Sequence, residues 1–451
     1  MRLRRLLIFI SILSLALSLP GAALALDVER WVMPNGMVVL HVERTNLPIV
    51  TASMIIRDAG SVNEPAEKAG LASITASLLM EGTASRTSRQ ISQQIEFIGA
   101  SLGASATADY ASVGMSALKK DVRVGFGLMS DILLNPTFPE QELERKVALR
   151  KGGIRQSEEN PEYIAGRKFG QLLFPDHAYG RPVEGFVNTL DAISRADAAA
   201  FYQANYRASN AILAVVGDIS RPELEALLAE YFGSWAKGEP HVPQKLIPQS
   251  GAAESTGFIE RELAQATIML GHRGISRDNP DYYAVGVMNY ILGGGGFSSR
   301  MMDSIREDMG LAYGVYSAFV PFKDAGEFYV SVQTKNESSR TVVDEALRQM
   351  RLMIEGGVTE KELQEAKDFL TGSFPRRIDT MDKIADFLCS VEFHGLGLDY
   401  QDRYASYINS VTRNDVLRVA GKYLHPEEYV LVVVGSPEGI RPFQSGTEPA
   451  Q

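Results

Sequence analysis

The stretch Ile193 to Gly217 recurs as Val411 to Gly435 at one constant offset, which limits the chain to folds built from two like halves. Arg195 and Asp197 correspond to Arg413 and Asp415. The apolar run Leu213-Ala214-Val215-Val216-Gly217 corresponds to Leu431-Val432-Val433-Val434-Gly435. Upstream, Pro139-Glu140-Gln141-Glu142-Leu143 resembles Thr359-Glu360-Lys361-Glu362-Leu363, each opening a charged helix with a cap. Thr51 to Ile56 and Thr267 to Leu270 read as strands that lead into a longer helix at the start of each half. Helix-then-strand segments look alike in many mixed proteins, so the weight rests on three matches falling in the same order.

Between the halves, Gly238 to Gly251 is rich in Pro, Gly and Ser and has no apolar periodicity, the composition of a linker. The division expected is a half at 26–237, a linker at 238–255, a second half at 256–441 and a flexible tail at 442–451. Closely following strand segments and helices gathered in blocks favour α+β over a doubly wound parallel sheet. Each half is therefore expected to be a mainly antiparallel sheet covered by helices.

The amino terminus is set apart from the fold. Arg2, Arg4 and Arg5 precede the apolar run Leu6 to Leu19, followed by Pro20, Gly21 and Ala23-Leu24-Ala25, the order of a secretory signal removed after Ala25. A membrane span needs about 20 apolar residues, so an uncleaved anchor is the second reading, and export to the periplasm without stable membrane insertion is the expectation. The formal net charge of −10 becomes more negative once those arginines are removed, which argues against nucleic acid as a partner. Cys389 is the only cysteine, so stability must come from burial and not from an intramolecular disulfide.

The most informative window runs Ala59-Gly60-Ser61-Val62-Asn63-Glu64, then Gly70-Leu71-Ala72, then Ser73-Ile74-Thr75-Ala76-Ser77, then Gly82-Thr83. It resembles the signature of the pitrilysin-type (M16) zinc peptidases, where a Gly-Ser turn, an acidic loop and Gly-x-Ala lead into His-Phe-Leu-Glu-His and end in Gly-Thr. Residues four apart share a helix face, so two His can bind one zinc with the Glu between them as general base. Here the first His falls on Ser73, the Glu on Ala76 and the second His on Ser77. The family's third ligand lies in a Glu-Glu-Ile-Arg segment whose counterpart is Lys151-Gly152-Gly153-Ile154-Arg155, so Gly153 replaces that carboxylate. Asn160-Pro161 and Phe174-Pro175-Asp176-His177-Ala178-Tyr179-Gly180-Arg181-Pro182 anchor the match downstream. Serine hydroxyls are poor zinc ligands and Ala76 accepts no proton. No two of the six His residues have helical metal-ligand spacing, and no Ser-His-Asp order surrounds a Gly-x-Ser-x-Gly turn.

The second half resembles the same family through Asn279-Pro280, Asn289 to Gly295, Ser298-Ser299-Arg300, Ile305-Arg306-Glu307 and Gly310-Leu311-Ala312-Tyr313. In M16 enzymes this half supplies an Arg and a Tyr seven residues apart that hold the substrate, and Arg306 and Tyr313 keep that spacing. The resemblance implies a chain that binds no zinc itself, paired as a heterodimer with a zinc-bearing M16 subunit and acting on peptides through Arg306 and Tyr313. The alternative is a catalytically dead peptide-binding, assembly or chaperone protein of the same fold. A self-pairing homodimer is a further arrangement left open at this point.

Overall fold

The computed structural model describes residues 26–239 and 255–444. The signal-like segment at 1–25, most of the expected linker and the expected tail from 445 onward lie outside the described residues; Ser255 opens a strand and 442–444 complete the helix Pro437–Gln444, so the second half reaches one residue before and three residues beyond its expected bounds. The first sheet contains β1 (Glu29–Val32), β2 (Val38–Glu43), β3 (Ile49–Arg57), β4 (Ser101–Ala106), β5 (Tyr110–Leu118) and β6 (Ala211–Gly217). Their spatial order is β1-β2-β6-β3-β5-β4. The second sheet contains β7 (Ser255–Glu260), β8 (Gln265–Arg273), β9 (Ala312–Pro321), β10 (Gly326–Lys335) and β11 (Val430–Gly435), in the order β7-β11-β8-β10-β9. The orders superimpose once β1 is set aside, with β6 and β11 as counterparts. Only β2 with β6 and β7 with β11 pair in parallel among the described strands; every other pairing is antiparallel. The architecture is α+β in two like halves.

The sequence repeat has a local physical basis. Ser194 caps the helix Arg195–Asn205 by accepting from Asp197 N, while Asp197 returns a bond to the Ser194 backbone. Thr412 and Asp415 do the same for the helix Arg413–Tyr423. Such reciprocal caps satisfy two otherwise orphaned backbone donors. The matched arginines reach back to the segment before the charged helix of their own half: Arg195 Nε donates to Phe138 O at 2.8 Å and Arg413 Nε to Val358 O at 2.6 Å. The paired Arg and Asp landmarks therefore act in folding.

Strands β6 and β11 are buried along their whole length, so both faces need a cover. Leu213 and Val215 on one face of β6 join a core with Ile74, Phe126 and Phe201 from their own half. Ile212, Ala214 and Val216 on the other face pack against Ile384, Ala385, Leu388 and Cys389 of the helix Met381–Phe393, which belongs to the second half. The arrangement is reciprocated. Val430, Val432 and Val434 of β11 pack against Ala165, Phe169 and Leu173 of the helix Pro161–Leu173 from the first half. Each half thus lends one helix to the other's sheet.

Polar contacts fix the register of this exchange. Ser53 Oγ donates to Asp386 Oδ1 at 2.7 Å and Thr51 Oγ1 to Asp382 Oδ1 at 3.0 Å, so the β3 hydroxyls meet two acids one turn apart on the lent helix. Arg30 closes a forked pair with Glu392 at 3.0 and 2.8 Å. Cys389 lies fully within this layer, where burial pushes its thiol up to about 12, so it serves as a small apolar group. No helix among the described residues is long and apolar enough to cross a membrane.

Two outcomes follow. Leu388→Ala or Phe169→Ala should each destabilise the whole chain by about 2–5 kcal/mol, measured by urea unfolding, and should do so with a single transition because each helix belongs to both halves. The second concerns His272, buried against Phe328, whose Nδ1–H donates to Arg273 O while Nε2 accepts from His425 N. Burial lowers its pKa to about 4 from an unfolded value near 6.5, so unfolding takes up a proton between those pH values and stability drains as pH falls through that window. Burial acts the opposite way on Glu64 and Glu327, both raised to about 7, so the informative quantity is a difference. Relative to His272→Gln, the native chain should lose up to about 3 kcal/mol between pH 6.5 and 4.

Candidate functional site

The helix Leu71–Leu78 is placed by the residues flanking its altered centre. Glu64 accepts from Gly70 N at 2.8 Å and Ala72 N at 2.7 Å, satisfying donors at the helix start. Gly70 has φ of +102°, and a Cβ there would lie 2.8 Å from Leu190 Cδ2 and 2.9 Å from Glu184 O. Only glycine meets both demands. Thr83 at the far end donates to Asp131 Oδ2 at 2.7 Å. These flanks hold the helix through contacts that do not involve its central residues.

Across from this helix lies Glu140–Ser157, and the structure brings three of the four degenerate positions, Ser73, Ser77 and Gly153, to their junction. Ser73 Oγ accepts from Arg150 Nη2 at 3.0 Å. Ser77 Oγ turns back to donate to Ile74 O at 2.8 Å, and Ala76 is fully buried. Ser77 and Gly153 face one cavity of about 480 Å³, whose wall also includes Ile74, Lys146, Arg150 and Ile154. Gly152 and Gly153 meet nothing within 4 Å of where a Cβ would sit, so no steric demand requires glycine. Each weakens the helix interior by about 1 kcal/mol relative to alanine. This donor set does not fit zinc: two hydroxyls, one already spent on the backbone, a methyl and a bare Cα, with a guanidinium pointing into the space. No group of three or more His, Cys, Asp or Glu among the described residues is placed to hold a metal ion.

Arg306 and Tyr313 come together away from that cavity. Arg306 lies on Met302–Asp308, a segment wound as a π-helix, and Gly310 at φ of +65° turns the chain into β9, which carries Tyr313. Irregular helical turns of this kind recur at functional sites. The guanidinium sits 5.5 Å from the Tyr313 ring centre and 4.6 Å from that of Phe297. Arg306 Nη1 is buried without a hydrogen-bond partner among the described residues, and Nε lies 3.5 Å from Glu307 Oε1. Tyr313 is 90 % exposed and Phe297 72 %. The preceding glycines serve packing in part, since a Cβ at Gly293 would stand 2.4 Å from Ser317 Oγ.

Arg150 and Phe297 did not emerge from motif reading. For Arg150 the signal lay in the helical repeat: 146, 150, 153, 154 and 157 form one stripe that must face whatever Gly153 faces. For Phe297 it was a large aromatic directly after four glycines, with no apolar period to bury it.

Comparison with known proteins identifies the family. The model for insulinase (peptidase family M16) matches residues 38–185, and that for the peptidase M16 inactive domain matches residues 192–370. An uncharacterized zinc protease of Mycobacterium leprae is 32 % identical over 78 % of this chain and 79 % of its own length. One from Rickettsia bellii is 24 % identical over 89 % of this chain and 90 % of its own. The crystal structure of a peptidase M16 inactive domain from Pseudomonas fluorescens shares 32 % identity at a TM-score of 0.85, covering 91 % of this chain and 98 % of that one. A Helicobacter pylori protease at 18 % identity and TM-score 0.83 shares the fold. With family models on both halves and a relative this similar over more than three quarters of each sequence, the chain belongs to peptidase family M16.

Proposed function

We propose that this chain is the substrate-binding subunit of an exported, heterodimeric M16 metallopeptidase whose partner subunit supplies the zinc. The observation that carries the reading is an asymmetry. In the first half, Ser77 and Gly153 line the pocket, Ser73 is bonded to Arg150 and Ala76 is buried, where the family's metal ligands and base would stand, whereas Arg306 keeps an unsatisfied donor beside an exposed Tyr313. An unpartnered buried N–H is costly unless a ligand satisfies it. Arg306 would hold a peptide carbonyl, and the Tyr313 hydroxyl would donate to the oxygen that becomes negative as a carbonyl turns tetrahedral. Tyr313 lies on β9, an edge strand of its sheet, where an extended peptide can pair through main-chain groups with little side-chain selectivity. The zinc-activated water would come from the other polypeptide, and the arginine-led apolar run at the amino terminus supports a meeting in the periplasm.

The chain lacking its signal segment, purified alone, should leave an unstructured peptide intact. Mixed with an exported relative that carries an intact His-x-x-Glu-His, it should give cleavage that a chelator abolishes. Arg306→Ala and Tyr313→Phe should each lower kcat/KM of the mixture by about 10²–10³ while both subunits still co-elute in gel filtration. Cleavage by this chain alone with stoichiometric bound zinc would sink the reading. Peptide binding without cleavage in any pairing would move the protein to the non-proteolytic, chaperone-like class.

A further inference from the structure

The cavity between the helices Leu71–Leu78 and Glu140–Ser157 has a chemistry of its own. Arg150 spends one N–H on Ser73, and its remaining donors have no hydrogen-bond acceptor among the described residues. Lys146, one turn earlier on the same wall, is held by Glu81 at 2.6 Å, with Arg145 on that carboxylate's other oxygen. Opposite stand Tyr163 and Glu184, joined by a Tyr163 hydroxyl bond of 3.0 Å. Arg150 is therefore the one cation on this wall without a carboxylate partner. The space before Gly153 is open, because no side chain grows from that position. Leu149, 61 % exposed, gives the opening an apolar side, with Ile74 and Ile154 buried behind it.

We propose that this cavity is a binding site for a peptide carboxylate, received by Arg150 in the room that Gly153 leaves. A guanidinium offers parallel N–H groups that match the two oxygens of one carboxylate. Glu184 bears on the choice of ligand: its charge faces the same space, so a singly charged carboxylate is accepted more readily than a doubly charged phosphate. The apolar wall favours a carboxylate that arrives beside an apolar side chain, as at the free carboxyl terminus of a peptide ending in Leu or Val. The inference concerns the first half and stands independently of the role given to Arg306 and Tyr313.

The test is calorimetric titration of the chain lacking its signal segment with three unlabelled hexapeptides. One ends in Leu with a free carboxylate, one is its carboxamide, and one is a carboxamide with Asp as the next-to-last residue. The free acid should bind about tenfold or more tightly than its amide. Asp-peptide binding comparable to that of the free acid would identify side-chain carboxylates as ligands too, whereas binding no better than the amide restricts the site to termini. Arg150→Gln should erase the preference. Gly153→Glu should erase it as well, by placing a carboxylate in the cavity from the protein's own side. Gly153→Ala should raise the melting temperature and retain the preference, and Arg306→Ala should retain it too, which separates this site from the second-half pair. Equal binding of acid and amide, absence of binding, or a preference that survives both Arg150→Gln and Gly153→Glu in folded protein would overturn the proposal.

Discussion

Everything in this chain depends on the two lent helices. A strand such as β6 or β11, apolar on both faces, is stable only between two covers, and each half makes only one of them. The second cover arrives from the other half, as Pro161–Leu173 on β11 and Met381–Phe393 on β6. Fully burying one Leu or Phe side chain contributes about 1.5–3 kcal/mol, and several such residues lie in each exchanged layer. The duplication is therefore an interlock, and the orientation of one half relative to the other follows from core packing and not from the connecting segment.

That rigidity gives the two chemical regions different characters. The first-half pocket sits between two helices, one of which, Leu71–Leu78, is held at its ends by Glu64, Gly70 and the Thr83–Asp131 bond, so its shape does not depend on a bound ligand. The Arg306 region is built on an irregular turn and an edge strand, with exposed aromatics on both sides of a guanidinium. One is a preformed hollow, and the other is an open surface suited to an extended chain.

How much of this was legible in the sequence depends on whether the cause was local. The repeat was, because capping boxes and apolar runs act over a few residues: Ser194 with Asp197 and Thr412 with Asp415 left the same mark twice. The altered helix at Ser73 to Ser77 was, because ligand spacing is a helical property. The exchange was not. Pro161–Leu173 and Met381–Phe393 look like ordinary amphipathic helices, and nothing in their period tells which sheet they cover. Arg150 was hidden for a related reason, since its meaning comes from Ser73, far away in sequence and brought close only by packing. Arg195 and Arg413 were seen as matched landmarks, yet their work, donating to the carbonyls of Phe138 and Val358, appears only in three dimensions.

The exchange also divides the first sheet by face. The helix Leu71–Leu78, with its altered site, packs on one face, and the lent helix Met381–Phe393 packs on the other. Ser73, Ser77 and Gly153 lie on the first face and take no part in the packing on the second, so substitutions there need not loosen the exchange. Removing the half altogether is a different matter, because its helix Pro161–Leu173 closes the core of its twin. The first half is thereby indispensable to the fold whatever its chemistry, and tolerance to change within it should follow the geometry of the sheet, broad around Ser73, Ser77 and Gly153 and narrow along Ala165, Phe169 and Leu173.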